Sequence, residues 1–179
     1  MAVKRGARRV HAHAADATRP AVCAVITVSD SRRGRDDTSG AALTALLERA
    51  GHVVAMRGWV GDDAAAIRRA VRESLARADV DAVLITGGTG IAPRDVTPEA
   101  VAPLLDRTLP GFGEAFRVFS LSDVGPAAWL SRAGAGVARG RLVVWLPGSR
   151  RAVTLALRRV LLPELGHAVR LLGRPSHSR

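Results

Sequence analysis

Residues 86–99 read Thr-Gly-Gly-Thr-Gly-Ile-Ala-Pro-Arg-Asp-Val-Thr-Pro-Glu, directly after the apolar run Ala82-Val83-Leu84-Ile85. Gly87, Gly88 and Gly90 lack a Cβ, so this turn can take positive φ and let a ligand approach the backbone. Successive N–H groups in such a turn form a concavity that binds anions. Asp95 adds a negative charge beside it, which suits a divalent cation bound together with phosphates. Thr97 is expected as the N-cap of a following helix, with Pro98 at its first position. The alternative is a βα turn that carries no ligand, and the acids of the Asp95-to-Glu99 segment argue against it.

Two familiar phosphate sites do not fit. A Walker A loop needs Gly-Lys-Ser/Thr, and the single lysine of the chain is Lys4. The globular part therefore has neither a P-loop lysine nor a Schiff-base lysine. The dinucleotide fingerprint G-x-G-x-x-G/A fails because Pro93 follows Gly88-Thr89-Gly90-Ile91-Ala92.

Three further loops leave expected strand ends with usable chemistry: Ser29-Asp30, Gly61-Asp62-Asp63 and Pro147-Gly148-Ser149. Asp62 can hold a metal or cap a helix, since Asp is favoured at both. Gly148 and Ser149 can form a phosphate nest at a helix start, or Ser149 can simply be a cap. Ser29-Asp30 can be a ligand contact or a strand-end turn. Arg94 can contact phosphate or stay solvated. His11 and His13 resemble a metal pair but lie in the basic N-terminal tail, so a tail reading is preferred to a metal site. Trp59, Trp129 and Trp145 are read as packing or subunit-interface residues, and Cys23 as a buried small hydrophobe.

These loops must be held by strands and helices. Val22 to Val28 reads as a buried strand. Asp37 or Thr38 caps a helix with Leu43, Leu46, Leu47 and Ala50 on one face, and Gly51 ends it. Val53 to Val60 is a second strand. Asp62 or Asp63 caps a second helix carrying Ile67, Ala70, Val71, Leu75 and Ala78. Asp81 to Ile85 is a third strand, and a helix follows over Pro98 to Leu105. Pro110-Gly111-Phe112-Gly113 is expected as a turn. Leu142 to Leu146 is a late strand, followed by a long helix that Pro163 interrupts. Strand–helix alternation predicts an α/β fold with a mostly parallel sheet and helices on both faces. Ligands in such folds bind beyond the C-terminal strand ends.

The 179 residues are 47% hydrophobic, enough for one domain with a full core. Residues 1–20 read as a basic, disordered tail, residues 21–172 as the domain and residues 173–179 as a C-terminal tail. The net charge of +11 suggests nucleic acid, but its distribution does not. Residues 1–20 carry five Lys/Arg and one Asp, and residues 150–179 carry seven Arg and one Glu. The intervening segment, which holds the glycine loop, is nearly neutral. Aromatic residues make up 3% and tyrosine is absent, so base-stacking platforms are scarce. No dedicated nucleic-acid site is expected. Neither a membrane span nor a signal-peptide h-region is expected, and one cysteine allows no internal disulfide. A cytoplasmic protein is the expectation.

The ordered motifs resemble the MoaB/MogA family of molybdenum cofactor biosynthesis, the molybdopterin adenylyltransferases. They are Thr27-Val28-Ser29-Asp30, Asp36-Asp37-Thr38-Ser39-Gly40, residues 86–99, Leu109-Pro110-Gly111-Phe112-Gly113-Glu114, Leu130-Ser131-Arg132-Ala133 and Leu146-Pro147-Gly148-Ser149. They span about residues 21–170 and look closer to the MoaB branch. The resemblance implies a three-layer α/β/α sandwich that assembles as a homotrimer or hexamer. It implies Mg²⁺- and ATP-dependent transfer of AMP to the terminal phosphate of molybdopterin, with release of pyrophosphate. Asp62 and Asp95 match the family's two important acids, as catalytic residues and metal ligands. Ligand contacts are implied for Ser29, Asp30, Gly87, Gly88, Thr89, Gly90, Thr97 and Glu99. They are also implied for Pro110, Gly111, Gly113 and Glu114, for Ser131, and for Pro147, Gly148 and Ser149. The resemblance also leaves room for other cofactor-biosynthesis proteins as partners. The alternative within the family is a non-catalytic pterin-binding or scaffold paralogue. Ser149-Arg150-Arg151 departs from the Ser-Pro or Gln-Pro common in the family at that turn.

Overall fold

In a computed structural model the described residues are 20–31 and 36–173. The expectations for the two tails, and for His11 and His13, fall mainly on residues 1–19 and 174–179, outside that range. The described chain builds one six-stranded sheet: β1 (Val22–Val28), β2 (Val53–Val60), β3 (Ala82–Thr86), β4 (Arg107–Thr108), β5 (Gly134–Ala138) and β6 (Arg141–Leu146). Their order across the sheet is β2-β1-β3-β6-β5-β4. β2, β1, β3 and β6 are parallel, and β5 runs antiparallel to both β6 and β4.

Side chains alternate across each strand, so one sheet feeds two cores. Cys23, Val25, Ala82, Leu84, Leu142, Val144 and Leu146 face one side. There they pack against α1 (Thr38–Arg49), α4 (Pro110–Val124), α5 (Arg150–Ala156) and α6 (Leu165–Leu172). Ala24, Ile26, Val28, Val83, Ile85 and Val143 face the other side, under α2 (Ala64–Ala76) and α3 (Thr97–Val101). This is the expected three-layer sandwich. Leu43, Leu47, Ile67 and Val71 are fully buried, and each contributes about 1.5–3 kcal/mol relative to exposure.

The helix starts have specific causes. Asp37 caps α1 by accepting from Gly40 N at 2.8 Å, and its carboxylate also accepts from Thr27 Oγ1 at 2.8 Å and Arg57 at 3.2 Å. One buried acid thus ties α1 to β1 and β2. Asp63 caps α2 by accepting from Ala66 N at 2.7 Å, which leaves Asp62 free of that duty. α4 begins at Pro110, where the sequence suggests a turn: proline is well placed in a first helical turn, so the Pro-Gly-Phe-Gly run opens a helix instead. α3 ends sooner than expected. It passes at Ala102 into a 3-10 turn through Leu104. After α5 the chain continues as a π-helical segment, Leu157–Leu161, before a turn at Pro163 leads to α6.

Candidate functional site

The parallel strands end together at Val28, Val60, Thr86 and Leu146. From β1 the chain winds to β2 on one side, while β3 lies on the other. That reversal splays the connecting loops apart and leaves a crevice beyond the strand ends. Because β5 runs the opposite way, the residues preceding it, Leu130 to Ala133, arrive at the same edge. A cleft of about 540 Å³ opens there. It is lined by Thr27 to Ser31, Ser39, Asp62, Gly87 to Gly90, Arg94, Asp95, Leu130, Ser131 and Pro147 to Ser149.

The glycine loop forms the floor. Gly87 has φ +111° and Gly88 φ +63°. A Cβ on Gly87 would stand 2.0 Å from Val28 O, so only glycine lets β3 turn this closely over β1. Gly87 N donates to Leu146 O at 2.9 Å, and Thr86 Oγ1 donates to Pro147 O at 2.9 Å. These bonds lock the glycine loop to the Pro147-Gly148-Ser149 turn.

Acids from two loops stand beside the glycine loop. Asp30 and Asp62 exchange hydrogen bonds: Asp30 N donates to Asp62 Oδ2 at 3.1 Å, and Asp62 N donates to Asp30 Oδ1 at 3.0 Å. The other oxygen of Asp62 lies 3.3 Å from the place a Cβ on Gly88 would take. Desolvation raises the Asp62 pKa above the usual carboxylate value; the negative charges of Asp30 and Asp95 add to the rise, while Arg94 and the Asp30 N–H oppose it. Asp95 folds back on its own turn. Its Oδ2 accepts from Ala92 N at 2.9 Å and stands 2.7 Å from where a Gly90 Cβ would be. Gly90 therefore makes room for the Asp95 carboxylate.

This donor set fits Mg²⁺. That ion is held by one or two carboxylates with substrate phosphates and water completing its shell, and needs no cage of protein ligands. Asp62 and Asp95 would hold it, since both carboxylates belong to the cleft lining. Among the described residues no three His, Cys, Asp or Glu side chains gather into a metal cage.

Twelve of the expected site residues line this cleft: Ser29, Asp30, Asp62, Gly87, Gly88, Thr89, Gly90, Asp95, Ser131, Pro147, Gly148 and Ser149. Six do not. Thr97 is fully buried behind the loop. It is the first residue of α3, not its cap, because its hydroxyl donates to Gly87 O at 2.8 Å and its N–H to Gly88 O at 3.0 Å. Glu99 pairs with Arg132. Pro110, Gly111, Gly113 and Glu114 lie in the first turns of α4, outside the cleft lining. Ser149 is both a cleft residue and the cap of α5, accepting from Ala152 N at 3.1 Å. Arg94 is exposed at the cleft. Thr27, Ser39 and Leu130 also line it, although the sequence shows them only as parts of motifs and not as ligand contacts. Thr27 and Ser39 both donate to the buried Asp37, the first across ten residues and the second within the start of α1.

Trp145 Nε1 donates to Arg132 O at 2.8 Å, a packing role as expected, whereas Trp129 is 72% exposed. Cys23 is fully buried, and burial pushes its thiol up to about 12.

Comparison with known proteins places this geometry. The family described as "Probable molybdopterin binding domain" matches residues 24–167. Molybdenum cofactor biosynthesis protein B of Halalkalibacterium halodurans is 46% identical over 162 residues, covering 90% of this chain and 95% of the relative. The protein of the same name from Bacillus subtilis is 49% identical over 149 residues, 83% of this chain and 88% of the relative. A crystal structure of a molybdenum cofactor biosynthesis protein B superposes with a TM-score of 0.84 at 46% identity, covering 86% of this chain and 96% of the other. The tungsten cofactor synthesizing protein MoaB from Pyrococcus furiosus gives 0.78 at 38% identity, with 86% and 97% coverage.

Proposed function

The chain belongs to the molybdopterin-binding domain family of molybdenum cofactor biosynthesis, and from that premise we propose that it catalyses Mg²⁺- and ATP-dependent adenylylation of molybdopterin. A phosphate oxygen of the pterin attacks the α-phosphorus of ATP. The new P–O bond forms as the bond to the β-phosphate oxygen breaks, giving adenylyl-molybdopterin and pyrophosphate.

Such a reaction asks the protein for positioning and charge neutralisation more than for covalent chemistry. The N–H groups of the Gly87-to-Gly90 turn bind phosphate oxygens. Asp62 and Asp95 would hold Mg²⁺, which would supply screening of the charges that crowd together as two phosphates meet. The Ser29, Ser131 and Ser149 hydroxyls sit in the same cleft and orient the substrates. The observation that carries this reading is that Asp62 and Asp95 both line the one cleft whose floor is the positive-φ glycine loop.

The protein acts as a homo-oligomer, a trimer or a hexamer built from trimers. This is supported by exposed apolar side chains along α4 and the turn after it: Val118 (64%), Leu121 (53%), Val124 (52%) and Trp129 (72%). Among the described residues no helix is long and apolar enough to cross a membrane.

Incubation with ATP, Mg²⁺ and molybdopterin tests the activity. Stoichiometric pyrophosphate and adenylylated pterin are expected, both lost with EDTA. Tight pterin binding without pyrophosphate release would instead make the protein a non-catalytic binding or scaffold member of the family.

A further inference from the structure

Arg132 reaches the site from the segment leading into β5, the one strand that runs against the others, and nothing in the chemistry above uses it. It is not among the residues lining the cleft. Its polar contacts converge on the glycine loop and the start of α3. Nε donates to Gly90 O at 2.8 Å, one Nη to Asp95 O, and the other to the Glu99 carboxylate. Its backbone N–H donates to Thr89 O at 2.9 Å, while its own carbonyl accepts from Trp145 Nε1 at 2.8 Å. One residue thus grips the loop at positions 89, 90 and 95 and is itself anchored on β6.

These contacts set the direction of the loop amides. In a planar trans peptide the carbonyl and the next N–H point opposite ways. Holding the Thr89 and Gly90 carbonyls toward Arg132 therefore turns the N–H groups of Gly90 and Ile91 away from it. Holding Asp95 O fixes the backbone from which the Asp95 carboxylate projects. Only a planar fork of several donors serves three such acceptors at once; an ammonium group is a single compact charge. Glu99 completes the arrangement. Its partial desolvation opposes ionisation, but the Arg132 guanidinium outweighs it and holds the carboxyl below the usual range.

We propose that Arg132 is a positioning residue that sets the glycine loop and Asp95 in the geometry that receives phosphate and Mg²⁺, with Glu99 as its counter-charge and not a substrate ligand. This rests on the adenylyl-transfer reading, but its first test does not need turnover. In the substrate-free protein, Arg132→Ala is expected to speed amide exchange across residues 88–96 by on the order of tenfold, with β1 and β3 unchanged. Arg132→Lys is expected to lie between, and Glu99→Gln to do less because both carbonyl contacts remain. Unchanged exchange in this segment, or a uniform rise across the sheet, overturns the proposal. If Arg132→Ala does not fold, Arg132→Lys and Glu99→Gln decide on the same criterion.

The second test is kinetic. Arg132→Ala is expected to lower kcat by a factor on the order of 10 to 10² and to raise the Mg²⁺ concentration for half-maximal rate, with little change in pterin KM. Combined with Asp95→Asn it is expected to cost little beyond Asp95→Asn alone, because both changes remove the same function. Losses that multiply, or a wild-type Mg²⁺ dependence in Arg132→Ala, overturn the positioning role. If the wild-type protein releases no pyrophosphate, the adenylyl-transfer reading fails, and the exchange measurement still decides whether Arg132 holds the loop.

Discussion

The two central acids differ in environment, and that difference separates their mutational signatures. Asp95 sits on a loop turn and accepts from Ala92 N. Asp95→Asn keeps the acceptor and removes the charge. It is expected to lower adenylylation by a factor on the order of 10² or more, with pterin affinity and melting temperature near wild type. A wild-type rate with unchanged Mg²⁺ dependence would end the metal-site assignment. Asp62 carries a raised pKa, caused first by desolvation and then by neighbouring carboxylates. A carboxyl whose folded pKa exceeds its unfolded value contributes stability below the unfolded pKa and loses it as pH rises through the folded one. At neutral pH without Mg²⁺, the Asp62 charge is therefore a burden on the fold. Asp62→Asn keeps an oxygen for the Asp30 N–H and is expected to melt at or above the wild-type temperature in EDTA, while its turnover falls. A lower melting temperature, measured by calorimetry at pH 7, would mean that Asp62 is structural. Asp63, not Asp62, caps α2, so a loss of helix capping cannot explain the expected loss of rate.

The elements succeed or fail as scaffolds through single residues such as Gly87. A Cβ there would meet Val28 O at 2.0 Å, and its φ is +111°. Gly87→Ala is expected to destabilise by about 2 kcal/mol or more and to abolish pterin binding, read by denaturant unfolding and by titration. His52, just before β2, gives a pH-dependent case. Its Nδ1 accepts from Ala21 N at 3.1 Å, and burial lowers its pKa below the ordinary 6.5. A folded pKa below the unfolded one gives stability that is present above about pH 6.5 and lost as pH falls. His52→Asn offers an acceptor that does not titrate, so its melting temperature is expected to fall less than wild type between about pH 7.5 and pH 5.5. The parallel strands and α1 and α2 are legible in the sequence because apolar periodicity and cap residues agree there; β2 is read at Val53 and Val60, its observed ends. β5 is not legible. Gly134-Ala135-Gly136-Val137-Ala138 has the small residues that strands usually avoid. They are required by what packs on them: a Cβ on Gly134 would meet the Trp145 ring at 2.5 Å. Missing β5 also hides the route by which Arg132 reaches the glycine loop. In the same way the helical role of Pro110 to Gly113 is hidden, since proline and glycine signal turns until their neighbours are known.

At the scale of the whole molecule, the sheet buries its two faces under six helices, yet α4 keeps part of its surface apolar and exposed. Val118, Leu121 and Val124 recur every third residue on that helix, and Trp129 follows in the next turn. Scattered exposed apolar residues are ordinary, but three at helical spacing on α4, with an exposed tryptophan on the element that follows, offer a surface suited to a protein partner. A second copy of the chain is the occupant proposed above. The patch adjoins the site in sequence: Trp129 directly precedes Leu130 and Ser131, which line the cleft. Association through α4 would therefore also steady that wall of the cleft. Light scattering at micromolar concentration is expected to give a trimer or hexamer mass. Leu121→Glu places a charge in the patch and leaves the buried face of α4, with Phe116 and Ser120, untouched. It is expected to shift the mass toward the monomer without changing the far-ultraviolet circular dichroism spectrum. The rate is expected to fall together with the mass, and to recover at high protein concentration if association supports the Leu130-Ser131 wall. A wild-type monomer would refute self-association, and a Leu121→Glu oligomer with wild-type mass would move the contact to another face.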